Sequence, residues 1–450
     1  MNSRVQDMSD PFLSPIFDEA DPSRAVLGVI GLGYVGLPLA AAFALRGRRV
    51  IGYDLNAERV ARIRAGIDET GEVARVDLQR ALDCGLVPTA DPDKLAEARI
   101  IMVCVPTPIT RDRRPDLGPL LAACAILGPR LARGKVVIFE STVYPGVTED
   151  VCGPALAEAS GLVVGQDILL GYSPERVNPG DKAHRVETMV KVVAGQGEAV
   201  TRALGQLYGE LNGDQIHYAP SIQVAEAAKA IENAQRDINI AFVNEVALIC
   251  ERIGLSVHDV LDAARTKWNF LDFKPGLVGG HCIGVDPYYL SYLSQSIGHE
   301  PDVILAGRRL NDHMADEVAD RIAFRFREVS QPVRRPSALV LGAAFKEDVP
   351  DLRNSRTPQL VRRLCRHGFQ VEVHDPWFDP KDLARAQDLT ATAWPGKAFD
   401  LVVIAVGHRA FLERSPEALL ALVSPGGMIA DPKGLYRNVR WSSPVNYWTL

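Results

Sequence analysis

The residues best suited to covalent chemistry gather in one stretch, Gly279-Gly280-His281-Cys282-Ile283-Gly284-Val285-Asp286-Pro287. Two successive glycines let a backbone pass close to a bound molecule. A cysteine placed there can serve as a nucleophile. Its thiolate can add to an aldehyde, and the thiohemiacetal so formed can lose hydride. A small buried cysteine in a glycine turn fits the same letters. His281 receives no role, because adjacent side chains point in different directions. Lys229 and Asn233 form a second pair, four apart and so on one face of a helix. Val224, Ala225, Ala227, Ala228, Ala230 and Ile231 around them are apolar. A lysine and an amide on such a face could stabilise an oxyanion. The plainer reading of that spacing is a solvated lysine beside an asparagine.

A third constellation is a phosphate cradle. Gly31-Leu32-Gly33-Tyr34-Val35-Gly36 matches G-x-G-x-x-G, after an apolar strand and before a helix. Such glycines allow a tight turn and close approach of a pyrophosphate, which the helix N-terminus then meets with free N–H groups. Asp54 lies 18 residues beyond Gly36 at the end of the next strand. That is close to the ~20 expected for a carboxylate that binds ribose hydroxyls. A carboxylate repels a 2′-phosphate, so the expected cofactor is NAD and not NADP.

These residues need a scaffold. Val26–Ile30, Arg49–Tyr53, Ile100–Val105, Val136–Glu140 and Ile168–Tyr172 read as short strands between helical stretches, the pattern of a doubly wound parallel sheet. From Ser221 to Ile253 there is no Gly or Pro, and apolar residues recur at helical spacing. Ser221 fits an N-cap and Gly254 a stop, which predicts one long helix. Gln331–Pro336 reads as a linker. Beyond it Ala338–Leu341, Gln370–His374 and Leu401–Val406 read as strands and Thr357–His367 as a helix. The expected fold is α/β: two Rossmann-like doubly wound domains joined by a central helical domain with one long helix. The expected boundaries are a tail at 1–24, a nucleotide domain at 25–219, a helical centre at 220–330 and a second α/β domain at 331–450.

The bulk numbers narrow the classes. A formal charge of −6 argues against nucleic-acid wrapping. Seven scattered cysteines include no CxxC pair, so neither a disulfide framework nor a metal site is expected, and a reducing cytoplasm fits. Ala25–Leu45 carries no charge and is long enough to be mistaken for a membrane span. Gly28, Gly31, Gly33, Gly36 and Pro38 within it favour a strand, a turn and a helix, so no membrane partner is expected.

Seven motifs occur in order: GLGYVGLP (31–38), VPTP (105–108), Ser141-Thr142-Val143, Ser173-Pro174-Glu175-Arg176, Lys229 with Asn233, Gly279–Asp286, and Phe345-Lys346. Together they resemble the UDP-glucose/GDP-mannose dehydrogenase family, from about Val26 into the C-terminal domain. Segments 173–185 and 267–290 look most like its UDP-N-acetylhexosamine branch. The resemblance implies two-step oxidation of the C6 hydroxyl of a UDP-sugar, most of all UDP-N-acetylglucosamine, for a surface polysaccharide. It implies Cys282 as nucleophile through a thioester, with Lys229 and Asn233 holding the oxyanion. Asp286 and Thr142 would position a water, and Glu175 would be the base of hydrolysis. Tyr34, Val35, Thr107, Thr142 and Arg353 would lie along NAD. Arg176, Lys346, Lys433 and the loop Phe273–Gly279, including Gly276, would hold the UDP-sugar. The family sends an arginine across a homodimer, for which Arg265 and Lys267 are the candidates. One position departs from the UDP-glucose branch: where that branch has a second glutamate, this chain has Pro179.

UDP-N-acetylgalactosamine and UDP-glucose stay open as alternative substrates. A single-step hydroxyacid dehydrogenase would share the nucleotide fold without needing Cys282. A short-chain epimerase would carry Tyr-x-x-x-Lys, and no tyrosine here has lysine four residues on. A non-enzymatic NAD sensor would keep the segment from Gly31 to Asp54 without Lys229, Asn233, Cys282 and Asp286.

Overall fold

The structure is a computed structural model that describes residues 25–176, 186–280, 282–330 and 334–450. The expected tail at 1–24, Pro179, His281 and linker positions 331–333 lie outside the described residues. Contacts divide the chain into two compact units, one running to Glu232 and including Tyr288–Ser296, the other comprising Asn233–Pro287 and Ile297–Leu450.

The first unit is built on β1 (Leu27–Ile30), β2 (Val50–Tyr53), β3 (Leu86–Thr89), β4 (Ile100–Val103), β5 (Lys135–Phe139), β6 (Ile168–Tyr172), β7 (Lys191–Gly195) and β8 (Ile216–Tyr218). Their order is β3-β2-β1-β4-β5-β6-β7-β8. Neighbours run parallel except β6 and β7. Every residue of β1, β2, β4 and β5 is buried. That is why these strands read as unbroken apolar runs: a parallel sheet is covered on both faces. Helix α1 (Gly36–Leu45) and helix α2 (Glu198–Asn212) supply part of that cover. The apolar run Ala25–Leu45 thus resolves into a strand, a glycine loop and a helix.

The long helix α3 runs from Ile222 to Arg252, 31 residues. Ser221 Oγ accepts from Val224 N at 3.2 Å, and Gly254 ends the helix at φ +74°. Its polarity is inverted for a surface helix. Glu226, Lys229, Asn233, Asp237 and Asn244, at helical spacing, are all buried. Val224, Ile231, Phe242 and Ile249 are exposed. The apolar surroundings expected around Lys229 and Asn233 are therefore divided: Ala225 and Ala230 are buried, whereas Val224 and Ile231 face outward.

The helical centre holds a second long helix in addition to α3. Helix α4 (Cys282–Ser296) is followed by α5 (Asp302–Val329), which is 28 residues long. The apolar pattern of α5 is interrupted because its buried face includes Arg308, Asn311 and Asp312. The second sheet comprises β9 (Ser337–Leu341), β10 (Gln370–His374), β11 (Phe399–Ile404), β12 (Val423–Ala430) and β13 (Asn446–Trp448), all parallel in the order β10-β9-β11-β12-β13. Helix α6 (Thr357–Arg366) follows β9 after a loop and packs on this sheet through Leu360 and Leu364.

Candidate active site

In the first unit, the candidate residues leave the carboxyl ends of neighbouring strands, where open α/β sheets bind ligands. After β1, Gly31 adopts φ +91°, and an added Cβ would lie 2.9 Å from Cys104 O. A Cβ on Gly36 would lie 1.8 Å from Gly31 O, so the third glycine is required for the turn itself. A Cβ on Gly33 would meet nothing within 4 Å. Packing does not demand that glycine, but an approaching pyrophosphate would. Tyr34 and Val35 complete the loop, and no side chain caps α1. Asp54 ends β2. Its Oδ2 accepts from Leu32 N at 2.8 Å and pairs with the Arg59 guanidinium at 3.0 Å, and its Oδ1 accepts from Asn56 N at 2.9 Å. Cradle and acid together fit NAD.

Thr107 follows β4 and is buried, and Tyr289 OH donates to its carbonyl at 2.7 Å. Ser141 and Thr142 follow β5, and Ser141 Oγ donates to Val105 O at 2.6 Å. Glu226 of α3 braces the next turn, accepting from Gly146 N at 2.6 Å and Thr148 N at 2.9 Å. Burial pushes its carboxyl up to about 7 against the pull of those donors. Glu175 and Arg176 follow β6. Arg176 is bound to Glu232 at 2.7 Å. Beside Glu175 sits a buried group that the sequence reading missed. Lys191, first residue of β7, donates to Glu140 Oε2 at 2.7 Å and lies 3.6 Å from Glu175 Oε2. Tyr208 OH donates to the other oxygen of Glu140. A charged residue opening one apolar strand and another directly before Ser141-Thr142 were the available signals.

In the second unit, Gly280 lies in a turn and Cys282 is the first residue of α4. This corrects the reading of Cys282 as part of the turn. Phe345 packs on both glycines: an added Cβ at Gly280, where φ is +79°, would lie 2.6 Å from its ring, and one at Gly279 would be tight against Asn354 O at 3.0 Å and Phe345 Cβ at 3.1 Å. Two motifs far apart in sequence are thus one packing unit. Pro287 lies inside α4 and has no N–H to offer the carbonyl of Ile283. Arg308 NH1 of α5 reaches that carbonyl at 3.4 Å and binds Asp237 at 2.6 Å. Asp286 is fully buried, and Asn233 Nδ2 donates to it at 2.5 Å. Asn233 and Asp286, each a candidate from the sequence but not paired there, are therefore in contact. Lys229 is also buried, which excludes the solvated-lysine reading.

A cleft of about 270 Å³, counting its open mouth, is lined by Leu277, Gly279, Phe345, Ser355, Arg356 and Lys433, among others. A Cβ on Gly276 would lie 3.3 Å from Lys433 Cε. Lys433 pairs with Glu347. Burial opposes the Glu347 charge, but Lys433 outweighs it and holds the carboxyl below its usual range. Arg353 forks onto Asp351 within 3.0 Å. Lys346 neighbours Phe345 in the same loop, and Phe273 packs against the core of this unit. Arg265 is held by Asp262 and by Asp272, the latter at 2.8 Å, and Lys267 is exposed.

A glycine loop with an acid after the next strand in one unit, and in the other a second α/β sheet with a cleft lined by Arg356 and Lys433, are the parts expected of a dinucleotide-dependent dehydrogenase of nucleotide-linked substrates. Family models describe the same parts: the UDP-glucose/GDP-mannose dehydrogenase NAD binding domain matches residues 25–212, the central domain 223–313 and the UDP binding domain 339–438. The chain is 45% identical over 410 residues to a UDP-N-acetyl-D-glucosamine 6-dehydrogenase of Pseudomonas aeruginosa, covering 91% of this chain and 96% of that one. It is 43% identical over 392 residues to a protein of the same name from Salmonella typhi, covering 87% and 92%. The structure of a UDP-D-ManNAc dehydrogenase from Pyrococcus horikoshii is similar with a TM-score of 0.82 at 28% identity, over 94% of this chain and 98% of that one. The chain belongs to the UDP-glucose/GDP-mannose dehydrogenase family and is an NAD-dependent UDP-sugar dehydrogenase. No helix among the described residues is long and apolar enough to cross a membrane.

Proposed function

We propose that this chain oxidises the C6 hydroxyl of UDP-N-acetylglucosamine to the carboxylate in two successive steps. The observation that carries the reading is its 45% and 43% identity, over nearly the whole length, to two relatives bearing that activity in their names. Pro179, in place of the second glutamate of the UDP-glucose branch, supports a 2-acetamido sugar. NAD, when bound, would accept one hydride in each step.

The chain's own residues divide the rest of the work. Residues 25–219 hold NAD, 220–330 carry the catalytic and dimer helices, and 331–450 hold the UDP-sugar. Lys229 and Asn233 stabilise the oxyanion at C6. The Cys282 sulfur adds to the aldehyde carbon, and loss of the second hydride leaves a thioester. Glu175 takes a proton from water, the water oxygen adds to the thioester carbon, and the carbon–sulfur bond breaks. The exposed apolar residues Ile231, Phe242 and Ile249 on α3 support a homodimer built around that helix. Six unbridged cysteines among the described residues support a reducing cytoplasm, where a precursor for surface polysaccharide would be made.

The test is to mix the protein with NAD and a panel of UDP-sugars and count NADH. Two NADH per UDP-N-acetylglucosamine and a C6 carboxylate are expected. One NADH per sugar overturns the two-step reading, and a higher kcat/KM on UDP-glucose than on both UDP-N-acetylhexosamines overturns the sugar. The same sample sedimenting as a fully active monomer at micromolar concentration overturns the dimer.

A further inference from the structure

The cluster beside Glu175 holds one ammonium between two carboxylates. Lys191 Nζ is 2.7 Å from Glu140 Oε2 and 3.6 Å from Glu175 Oε2, and it also donates to Pro174 O at 3.2 Å. That last bond ties the amine to the backbone immediately before Glu175. The side chains of Lys191 and Glu140 are 5% and 0% exposed, while Glu175 is 12% exposed. Glu175 is thus the member that water reaches most. Charges this close in a poorly solvated site interact far more strongly than in water.

Three further titratable groups of the described residues stand by the cluster: Tyr208, Cys104 and Arg176. Tyr208 OH donates to Glu140, and burial with the Glu140 charge pushes its phenol far up, so it stays a donor. Burial likewise pushes up the Cys104 thiol, which senses Glu140, Lys191 and Glu175. The Arg176 guanidinium, next to Glu175 in sequence, is bound to Glu232 of α3. Burial works against charge on Lys191, but Glu140 and Glu175 outweigh it and leave its pKa raised. Burial raises the Glu140 carboxyl despite Lys191. The cluster therefore keeps a fixed positive charge and two carboxylates competing for it.

We propose that Lys191 is a positioning residue for thioester hydrolysis, holding the Glu175 carboxylate ionised and oriented, and that Glu140 draws on the same ammonium and limits that hold. This rests on Glu175 being the base that takes the proton from the attacking water. A lysine that only tied β7 to β5 would affect stability and leave the ionisation of Glu175 alone. A lysine that sets the base makes the two buried partners act with opposite sign. Removing the ammonium disfavours ionised Glu175. Removing the Glu140 charge leaves the whole ammonium to Glu175 and favours ionisation.

The experiment follows acyl-enzyme decay by rapid quench and mass spectrometry in a single turnover with NAD and UDP-N-acetylglucosamine, from pH 5 to 9. Lys191→Met is expected to move the acid limb of the decay rate up by about one pH unit, within the range an adjacent opposite charge produces. Glu140→Gln is expected to move it down, the double variant to fall between the two, and Lys191→Arg to stay near the unmodified protein. If Lys191→Met does not fold, Glu140→Gln and the double variant carry the same ordering. Shifts of the same sign, or none, overturn the proposal. Glu175→Gln separates this from the reading beneath it. If Glu175→Gln accumulates acyl-enzyme while the other variants leave the limb in place, Glu175 stands as base and Lys191 does not position it. If Glu175→Gln hydrolyses at the normal rate with the normal acid limb, the base assignment itself falls.

Discussion

Each unit opens its sheet with the same device, a strand, a glycine at positive φ and an acid at the end of the next strand, but the two devices are spent differently. In the first unit Gly31 leads directly through Gly33 to α1, and the loop presents backbone. Asp54 accepts from Leu32 N and Asn56 N, and its cationic partner Arg59 is 38% exposed. In the second unit Gly342, at φ +96°, leads into a long loop carrying Lys346, Asp351 and Arg353 before α6 begins at Thr357. Asp375 accepts from Ala343 N at 2.7 Å, Ala344 N at 3.0 Å, Trp377 N at 2.9 Å and His408 Nε2 at 3.0 Å. His408 is fully buried. One acid keeps a partner that can turn away to water, and the other is used up in bracing its own loop. The comparison teaches that the same position after the second strand can be committed to its own loop, as Asp375 is, or keep a partner reached by water, as Asp54 does.

The largest expected effect tests whether the chemistry is separable from both nucleotide loops. Cys282→Ser keeps the size and offers a much weaker nucleophile. Steady-state turnover should fall by ~10³-fold or more, as for removal of other covalent nucleophiles. NAD and UDP-sugar binding by calorimetry should be unchanged, and mass spectrometry should find a sugar acyl adduct on the new serine or a slow single turnover. Near-normal uronic acid production by Cys282→Ser would return Cys282 to a packing role.

A smaller effect is expected from Gly33→Ala. Its Cβ meets no protein atom within 4 Å, so thermal stability should hold. A pyrophosphate lying against that backbone would meet the methyl group, and KM for NAD should rise by about tenfold or more, each factor of ten being ~1.4 kcal/mol. UDP-sugar affinity should not move. An unchanged KM for NAD would mean that the cofactor does not use this face of the loop.

How much of this was legible follows from what each signal depends on. The glycine loop, the strands β1, β2, β4, β5, β6, β9, β10 and β11 and the ends of α3 follow from local rules of turn, burial and capping and lie close to where the sequence places them, whereas β3, β7, β8, β12 and β13 were not read. Helix α5 was missed because Arg308, Asn311 and Asp312 lie on its buried face and mask the apolar period. The requirement for Gly280 could be suspected from the letters, but its cause, the Phe345 ring, is a long-range contact. Lys191 and Glu140 left only a faint signal for the same reason. Each looks like an ordinary charged residue at a strand end, and only the sheet brings them together.

The smallest effect on turnover, and the sharpest test of the comparison, comes from changing the two acids alike. Asp54→Asn removes the charge that repels a 2′-phosphate, so kcat/KM for NADP relative to NAD should rise. Asp375→Asn should leave that ratio and turnover unchanged and act on stability. Burial opposes charge on Asp375, but the His408 bond and the backbone donors outweigh it and hold the carboxyl below its ordinary range. A group whose folded pKa lies below its unfolded value stabilises fully above the unfolded value of ~3.9 and loses that contribution as pH falls through the folded value. Asp375→Asn should therefore cost about 1–3 kcal/mol at pH 7, the usual penalty for leaving buried donors poorly matched. The difference from the unmodified protein should shrink below about pH 4. Urea unfolding at pH 7 and pH 3.5 measures it. A change in cofactor preference in Asp375→Asn, or none in Asp54→Asn, would mean that the two acids are not divided between ligand and scaffold as their partners indicate.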